Sequence, residues 1–221
     1  NNLMTVSGSD VCLRDLTFSN NGQSISLNGA ISEDSTLALE LKSEDFHLST
    51  IAPVIELNLN GTVNGSVVLR DLYDNIYLDS DINIDELVYK DFLIGNVFGT
   101  GRWNKSKNIV EVDYHVDRMN NRILSLKGTY DPVRDDKAFN LLATLNQTNL
   151  EILEPFTEGL FKDFGGTATG KISITGSTND PKVRGELDVK KGKLMFDYLK
   201  TVWNFEDKIL FEDGAIRAKK M

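Results

Sequence analysis

Apolar and polar residues alternate with a period of two along most of this chain, and that pattern belongs to half-buried β-strands. In Ile109–Val116 the even positions are Val110, Val112, Tyr114 and Val116, with Glu111, Asp113 and His115 between them. Phe139, Leu141, Ala143 and Leu145 repeat the spacing. So do Ile25, Leu27 and Ile31, and then Leu37, Leu39 and Leu41. Side chains alternate sides along a strand, so each segment has one apolar and one polar face. One-faced strands suit antiparallel or solenoid sheets better than parallel sheets covered on both sides.

Turn residues punctuate the alternation at hairpin-like intervals: Asn20-Asn21-Gly22, Asp131-Pro132, Ser177 to Pro181, and Lys190-Lys191-Gly192. They predict roughly a dozen or more strands. Helix is scarce. One short helix is predicted over Asn149–Lys162, where Thr148 and Glu151 have capping-box spacing and Leu150, Leu153, Phe156 and Leu160 form a stripe. Pro155 should break or kink it.

The chain is also internally repeated. Ser26-Leu27-Asn28-Gly29 matches Ser125-Leu126-Lys127-Gly128, an offset of 99 (29 to 128). Leu48, Ile51 and Pro53 match Leu150, Leu153 and Pro155, an offset of 102 (53 to 155). The run from Gly61 to Leu69 matches Gly166 to Ile174, an offset of 105 (61 to 166). Ile82 and Ile84 then match Leu187 and Val189. The drift in offset is what small loop insertions produce. Two repeats are therefore expected, 1–105 and 106–221, with Gly99–Asn108 as a hairpin-like turn between them. No Pro/Ser-rich linker divides them, which favours one continuous extended sheet over two sandwiches.

Charge and composition remove several function classes. The net charge is −9 and the pI is near 4.8, so nucleic-acid binding is disfavoured. No run of 18 apolar residues is present to span a membrane as a helix. The single cysteine, Cys12, cannot form an internal disulfide. The first residues, Asn1-Asn2, and the last, Lys219-Lys220-Met221, are those expected of a piece cut from a longer protein.

No chemistry-bearing constellation survives inspection. Asp79 to Asp85 resembles a calcium loop, but the sixth and twelfth positions are Ile84 and Lys90 instead of glycine and glutamate. His47 and His115 lack metal-ligand spacing, and His115 sits on a polar strand face. Gly99-Thr100-Gly101 does not open a helix, so it fails as a dinucleotide loop. Asp135-Asp136 lies beside Arg134 and Lys137 in a turn. No enzyme, metal or cofactor is expected.

The segment 166–218 resembles the C-terminal repeats of the TamB family (translocation and assembly module). The family's ordered series is a glycine-spaced strand, a Gly-Ser step, a loop ending in proline, an x-Gly-x-Leu strand, and then aromatic strands. Here that series falls on Gly170, Ile172, Ile174, Gly176-Ser177, Pro181, Val183, Gly185, Leu187, Val189, Gly192, Tyr198, Trp203, Phe205, Phe211 and Ile216. The resemblance covers 149–218 closely and 48–89 more loosely through the repeat. It implies an AsmA-like bridge protein of the diderm envelope, anchored in the inner membrane and crossing the periplasm to an outer-membrane barrel partner of the TamA type. It implies a long curled sheet whose apolar groove passes phospholipids, or assists protein assembly, at the outer membrane. Neighbouring repeats of the full-length chain would be further partners.

The fold class expected is therefore all-β, an elongated curled sheet of about two repeats with one short helix. Twenty apolar members of the alternating runs are predicted to share its concave, groove-lining side: Ile25, Leu27, Leu39, Leu41, Val63, Val67, Leu69, Ile82, Ile84, Val110, Val112, Leu124, Leu126, Leu141, Leu145, Ile172, Ile174, Val183, Leu187 and Val189. Phospholipid acyl chains would gain about 0.8 kcal/mol per CH₂ on such a surface. Gly29, Gly65, Gly128, Gly170 and Gly185 fall on the same faces, where glycine lets a sheet bend or a ligand approach. The open trough and apolar strand edges predict self-association of the isolated chain. The alternative is a carbohydrate-binding or adhesin-like β-sandwich, with Tyr73, Tyr77, Trp103, Trp203 and Phe205 as a sugar platform.

Overall fold

The computed structural model describes residues 2–53, 56–156, 161–212 and 215–218. They form one antiparallel sheet of 15 strands. In chain order these are β1 (Leu3–Ser7), β2 (Asp10–Asn20), β3 (Gln23–Ile31), β4 (Ala38–His47), β5 (Leu59–Arg70), β6 (Tyr77–Tyr89), β7 (Phe92–Asn104) and β8 (Ile109–Arg118). Then follow β9 (Asn121–Tyr130), β10 (Phe139–Asn149), β11 (Phe161–Gly176), β12 (Pro181–Phe196), β13 (Thr201–Phe205), β14 (Lys208–Glu212) and β15 (Ala215–Ala218). Each strand from β1 to β12 pairs with its neighbour in sequence, β14 and β15 continue the path, and β13 pairs with the far half of β12. The all-β curled sheet is thus the fold, and no second sheet packs on it to make a sandwich among the described residues.

Directly opposed residues of an antiparallel ladder project to the same face, so the register fixes which residues are together. One row runs Leu13–Gly29–Leu39–Leu69–Leu78, and the next runs Leu16–Leu27–Leu41–Val67–Ser80–Gly101–Val112–Gly128–Leu141–Ile174–Val183. A further row passes through Val63, Ile84, Val97, Val116, Leu124, Leu145, Gly170 and Leu187. The other face carries Glu40, Lys42, Asp81, Glu111, Asp113, Lys127, Lys171 and Lys182, with cross-strand ion pairs such as Lys127–Asp113 at 2.8 Å.

The sheet curls toward its apolar face. Tyr114 on β8 reaches across β7 to Ser80 on β6, with the two hydroxyl oxygens 2.6 Å apart. It can do so because β7 shows only Gly99 and Gly101 there: a Cβ on Gly99 would lie 2.2 Å from the Tyr114 ring. The described 3₁₀ segments are η1 (Leu48–Thr50), η2 (Asp135–Lys137) and η3 (Leu150–Phe156), of which η3 folds onto the same face and touches both β11 and β7.

Bulges punctuate the strands, four of them on strands that run in one direction. Asp15 on β2, Asp45 on β4, Glu86 on β6 and Gln147 on β10 each take φ near +50° beside a register shift. Each leaves a backbone N–H without a ladder partner, and a side chain on the adjacent strand accepts it. Asn28 Oδ1 serves Asp15 at 3.5 Å, Asn64 Oδ1 serves Asp45 at 2.8 Å, Asn96 Oδ1 serves Glu86 at 2.9 Å and Thr169 Oγ1 serves Gln147 at 3.0 Å. Bulges increase local twist and bend the strand that carries them. The glycines are not the bulges. Gly29, Gly65, Gly128, Gly170 and Gly185 stay in register, at points where the neighbouring carbonyl approaches too closely for any side chain.

Three local expectations are corrected. The helix over Asn149–Lys162 is only the 3₁₀ segment η3: β10 continues to Asn149 and β11 begins at Phe161. Leu150 is buried but Leu153 is 45% exposed, so the stripe does not share one buried face; Leu160 lies outside the described residues. Thr148 does not cap the segment; its hydroxyl donates to the Ile123 carbonyl at 2.5 Å, and Asn149 Oδ1 takes the Glu151 N–H instead. Lys190-Lys191-Gly192 is no turn, because β12 runs through it with Lys191 as a bulge. Gly99–Asn104 is strand, and the turn joining β7 to β8 is confined to residues 105–108, with nine registered pairs from Asn96↔Asp117 to Asn104↔Ile109 across it.

Candidate functional site: an apolar trough

All twenty residues predicted to line one side do fall on one face by register. Their environments differ. Val110, Leu187 and Val189 are buried, whereas the other seventeen are half-buried. Outside the part that η3 covers, half-burial means that water reaches these side chains from the open side of the curl. A sealed β-sandwich core would show the opposite.

The trough is closed near η3. Leu150 packs on Ala168, Leu187 and Val189, with Leu145, Phe164, Ile172, Phe205, Ile209 and Phe211 around them. Leu187 and Val189 therefore belong to a packed plug, out of reach of a ligand, while Leu27, Leu41, Val67 and Leu126 lie outside it and are half-buried. Between these regions lies the Tyr114–Ser80 bond, which alternation alone does not reveal because the partners are two strands apart. Ser80 is 2% exposed, and its oxygen also accepts the Gly101 N–H at 2.9 Å. Tyr114→Phe should cost about 1–2 kcal/mol, read as a drop of roughly 2–8 °C in melting temperature. A neutral result would show that the hydroxyl pair does not hold the curl.

The other sequence-level candidates lie apart. Tyr77 and Trp103 stack at 4.7 Å, with Arg70 and Lys105 over the indole at 5.5 and 5.3 Å. Trp203 and Phe205 are on β13, six strands further along the sheet, and Tyr73 donates to the Ser9 carbonyl. The five aromatics form no common platform. Asp79 and Asp81 are engaged by Arg70 at 2.7 Å and Arg102 at 3.2 Å. His115 is less solvated than its polar-face position implies: it stacks on Phe98 at 5.3 Å and lies 3.8 Å from Asp117. A hollow of about 730 Å³ opens beside the 131–138 loop, lined by Arg134, Lys137 and Lys182 and by Asp131, Asp136 and Asp180. Three charges of each sign cancel there, so it favours neither anions nor cations.

Among the described residues the trough is thus an extended apolar surface, floored by glycine-spaced strands, crossed by a tyrosine and closed at η3. Comparison with protein-family models, with curated proteins and with solved structures returns no match.

Proposed function

We propose that the chain is a non-enzymatic lipid-carrying segment of a TamB-like envelope protein, acting in the periplasm, with phospholipid acyl chains as its ligand. The observation that carries this reading is the partly exposed apolar face, which no second layer covers outside the η3 plug among the described residues. Apolar surface of this extent is seldom left open in a protein that has no apolar ligand or partner. Acyl chains need no hydrogen-bond donors, and Ser43, Ser80 and Thr148 on this face already spend their hydroxyls internally. The resemblance to the TamB family supplies the envelope setting and the outer-membrane barrel partner.

The test is photo-crosslinking in the native cell from a benzophenone residue placed at Leu41 or Leu126, followed by mass spectrometry of the adduct. Phospholipid adducts are expected there and not from Val68 or Leu142, which occupy the opposite face. Adducts to unfolded barrel strands in place of lipid would turn the reading toward protein assembly; adducts from the polar face alone would end it.

A further inference from the structure

Between Lys190 and Phe205 the chain changes character. Lys190, Lys191, Lys193 and Lys200 stand against a single carboxylate, Asp197, giving a local net charge of +3 in a protein of net −9. All four lysines are exposed. Asp197 is itself neutralised by Lys200 at 2.6 Å and Lys162 at 3.3 Å, and these donors hold its carboxyl below the usual carboxylate range.

The same segment carries a concentration of exposed apolar side chains. The far half of β12 and β13 form a hairpin that pairs Leu194 with Trp203 and Phe196 with Thr201. At its tip Tyr198 is 86% exposed and Leu199 62%; along β13, Val202 and Trp203 are about half exposed. The base is anchored, because Phe205 packs against the plug of the trough and Gly192 lies against Phe205 and Val189. The tip is therefore presented on a fixed support.

Tyrosine and tryptophan are the side chains that settle at a membrane–water boundary, with ring in the hydrocarbon edge and polar atom in the headgroups. Lysines beside them are drawn to lipid phosphates. An anionic surface repels this protein as a whole, so a locally basic, apolar-tipped element also decides the orientation of approach. We propose that the β12–β13 hairpin docks the chain on an anionic phospholipid surface. Tyr198 and Leu199 enter the headgroup layer, and Lys190, Lys191, Lys193 and Lys200 lie against the phosphates. This site goes beyond the trough and does not depend on what the trough carries.

The test is flotation of the full chain with vesicles of phosphatidylglycerol and phosphatidylcholine in equal parts, against phosphatidylcholine alone. The wild type should float with the anionic vesicles and not with the neutral ones. Tyr198→Ser with Leu199→Ser should weaken binding at least tenfold, and so should the triple change of Lys190, Lys191 and Lys193 to glutamine. Val133→Ser, an exposed apolar residue on the 131–138 loop, should change nothing. All of these positions are exposed, so circular dichroism should show intact folding. Equal flotation with both vesicles, wild-type flotation by the tip variant, or no flotation of the wild type would each overturn the proposal. Uptake of a fluorescent phospholipid monomer, measured on the same proteins, reports the trough separately and should be untouched by the tip variants.

Discussion

Gly128→Ala should lower the melting temperature by roughly 10 °C and split the transition in two. Gly128 sits near the middle of the sheet, opposite Val112 on one side and Leu141 on the other. Its φ of +145° is one an L side chain rarely adopts, and a Cβ would stand 2.1 Å from the Asn140 carbonyl oxygen and 2.9 Å from the Leu141 Cα. Both obstacles are backbone, so no rotamer change relieves them. The φ term costs about 1 kcal/mol, and forcing strands apart in a packed sheet costs about 1–3 kcal/mol more. The split follows from topology: strand contacts are almost wholly between neighbours, so stability is a chain of nearest-neighbour couplings. Breaking the coupling of β9 to β10 leaves two blocks that melt apart. Gly8→Ala is the control. Its φ is +62° but nothing lies within 4 Å of the added methyl, so only about 1 kcal/mol is expected. Equal shifts for the two variants in a thermal melt would show that close strand approach is not what fixes glycine at Gly128.

The contrast between glycines and bulges marks what a sequence of this kind discloses. Alternation was legible because one face of the sheet has no second layer; each strand then keeps a clean apolar row, and register placed all twenty predicted residues together. The recurrent glycines were legible for the same reason, since they interrupt that row. The bulges were not. Asp15, Asp45, Glu86 and Gln147 are polar residues beside no glycine or proline, and their amides are satisfied by Asn28, Asn64, Asn96 and Thr169, which lie on other strands. Nothing local to the bulge announces it. The Leu150–Leu153 spacing imitated a helix because Leu150 does anchor a core, but the chain turns back into β11 before a second helical turn forms. Lys190-Lys191-Gly192 imitated a turn because a residue near φ +50° is needed in both a turn and a bulge. The Tyr114–Ser80 bond needed the curl itself, which brings next-but-one strands into contact.

Leu41→Asp should reduce lipid uptake by about a hundredfold while leaving the sheet folded. Leu41 lies between Leu27 and Val67 on the open part of the trough and is half-buried. In the empty protein a carboxylate there still reaches water, so the folding cost is about 1–2 kcal/mol. With acyl chains in place it loses that water and has only Leu27 and Val67 opposite it on the adjacent strands. Burying an ion without a counter-charge costs several kcal/mol, and about 2.7 kcal/mol already corresponds to a hundredfold. Leu41→Ala removes contact area alone and should weaken uptake only several-fold. Val68→Asp, one residue from the partner strand's Val67 but on the opposite face, should have no effect on uptake. Acidification supplies the decisive sign. Desolvation by lipid raises the new carboxyl's pKa, so lowering the pH toward about 5 neutralises it in the bound state and should restore much of the Leu41→Asp uptake. The wild type and Leu41→Ala carry no such group and should show no matching recovery. Uptake of a fluorescent phospholipid, measured across pH for all four proteins, decides it: an aspartate no worse than alanine, or a loss at Val68 equal to that at Leu41, would mean that acyl chains do not lie in the trough.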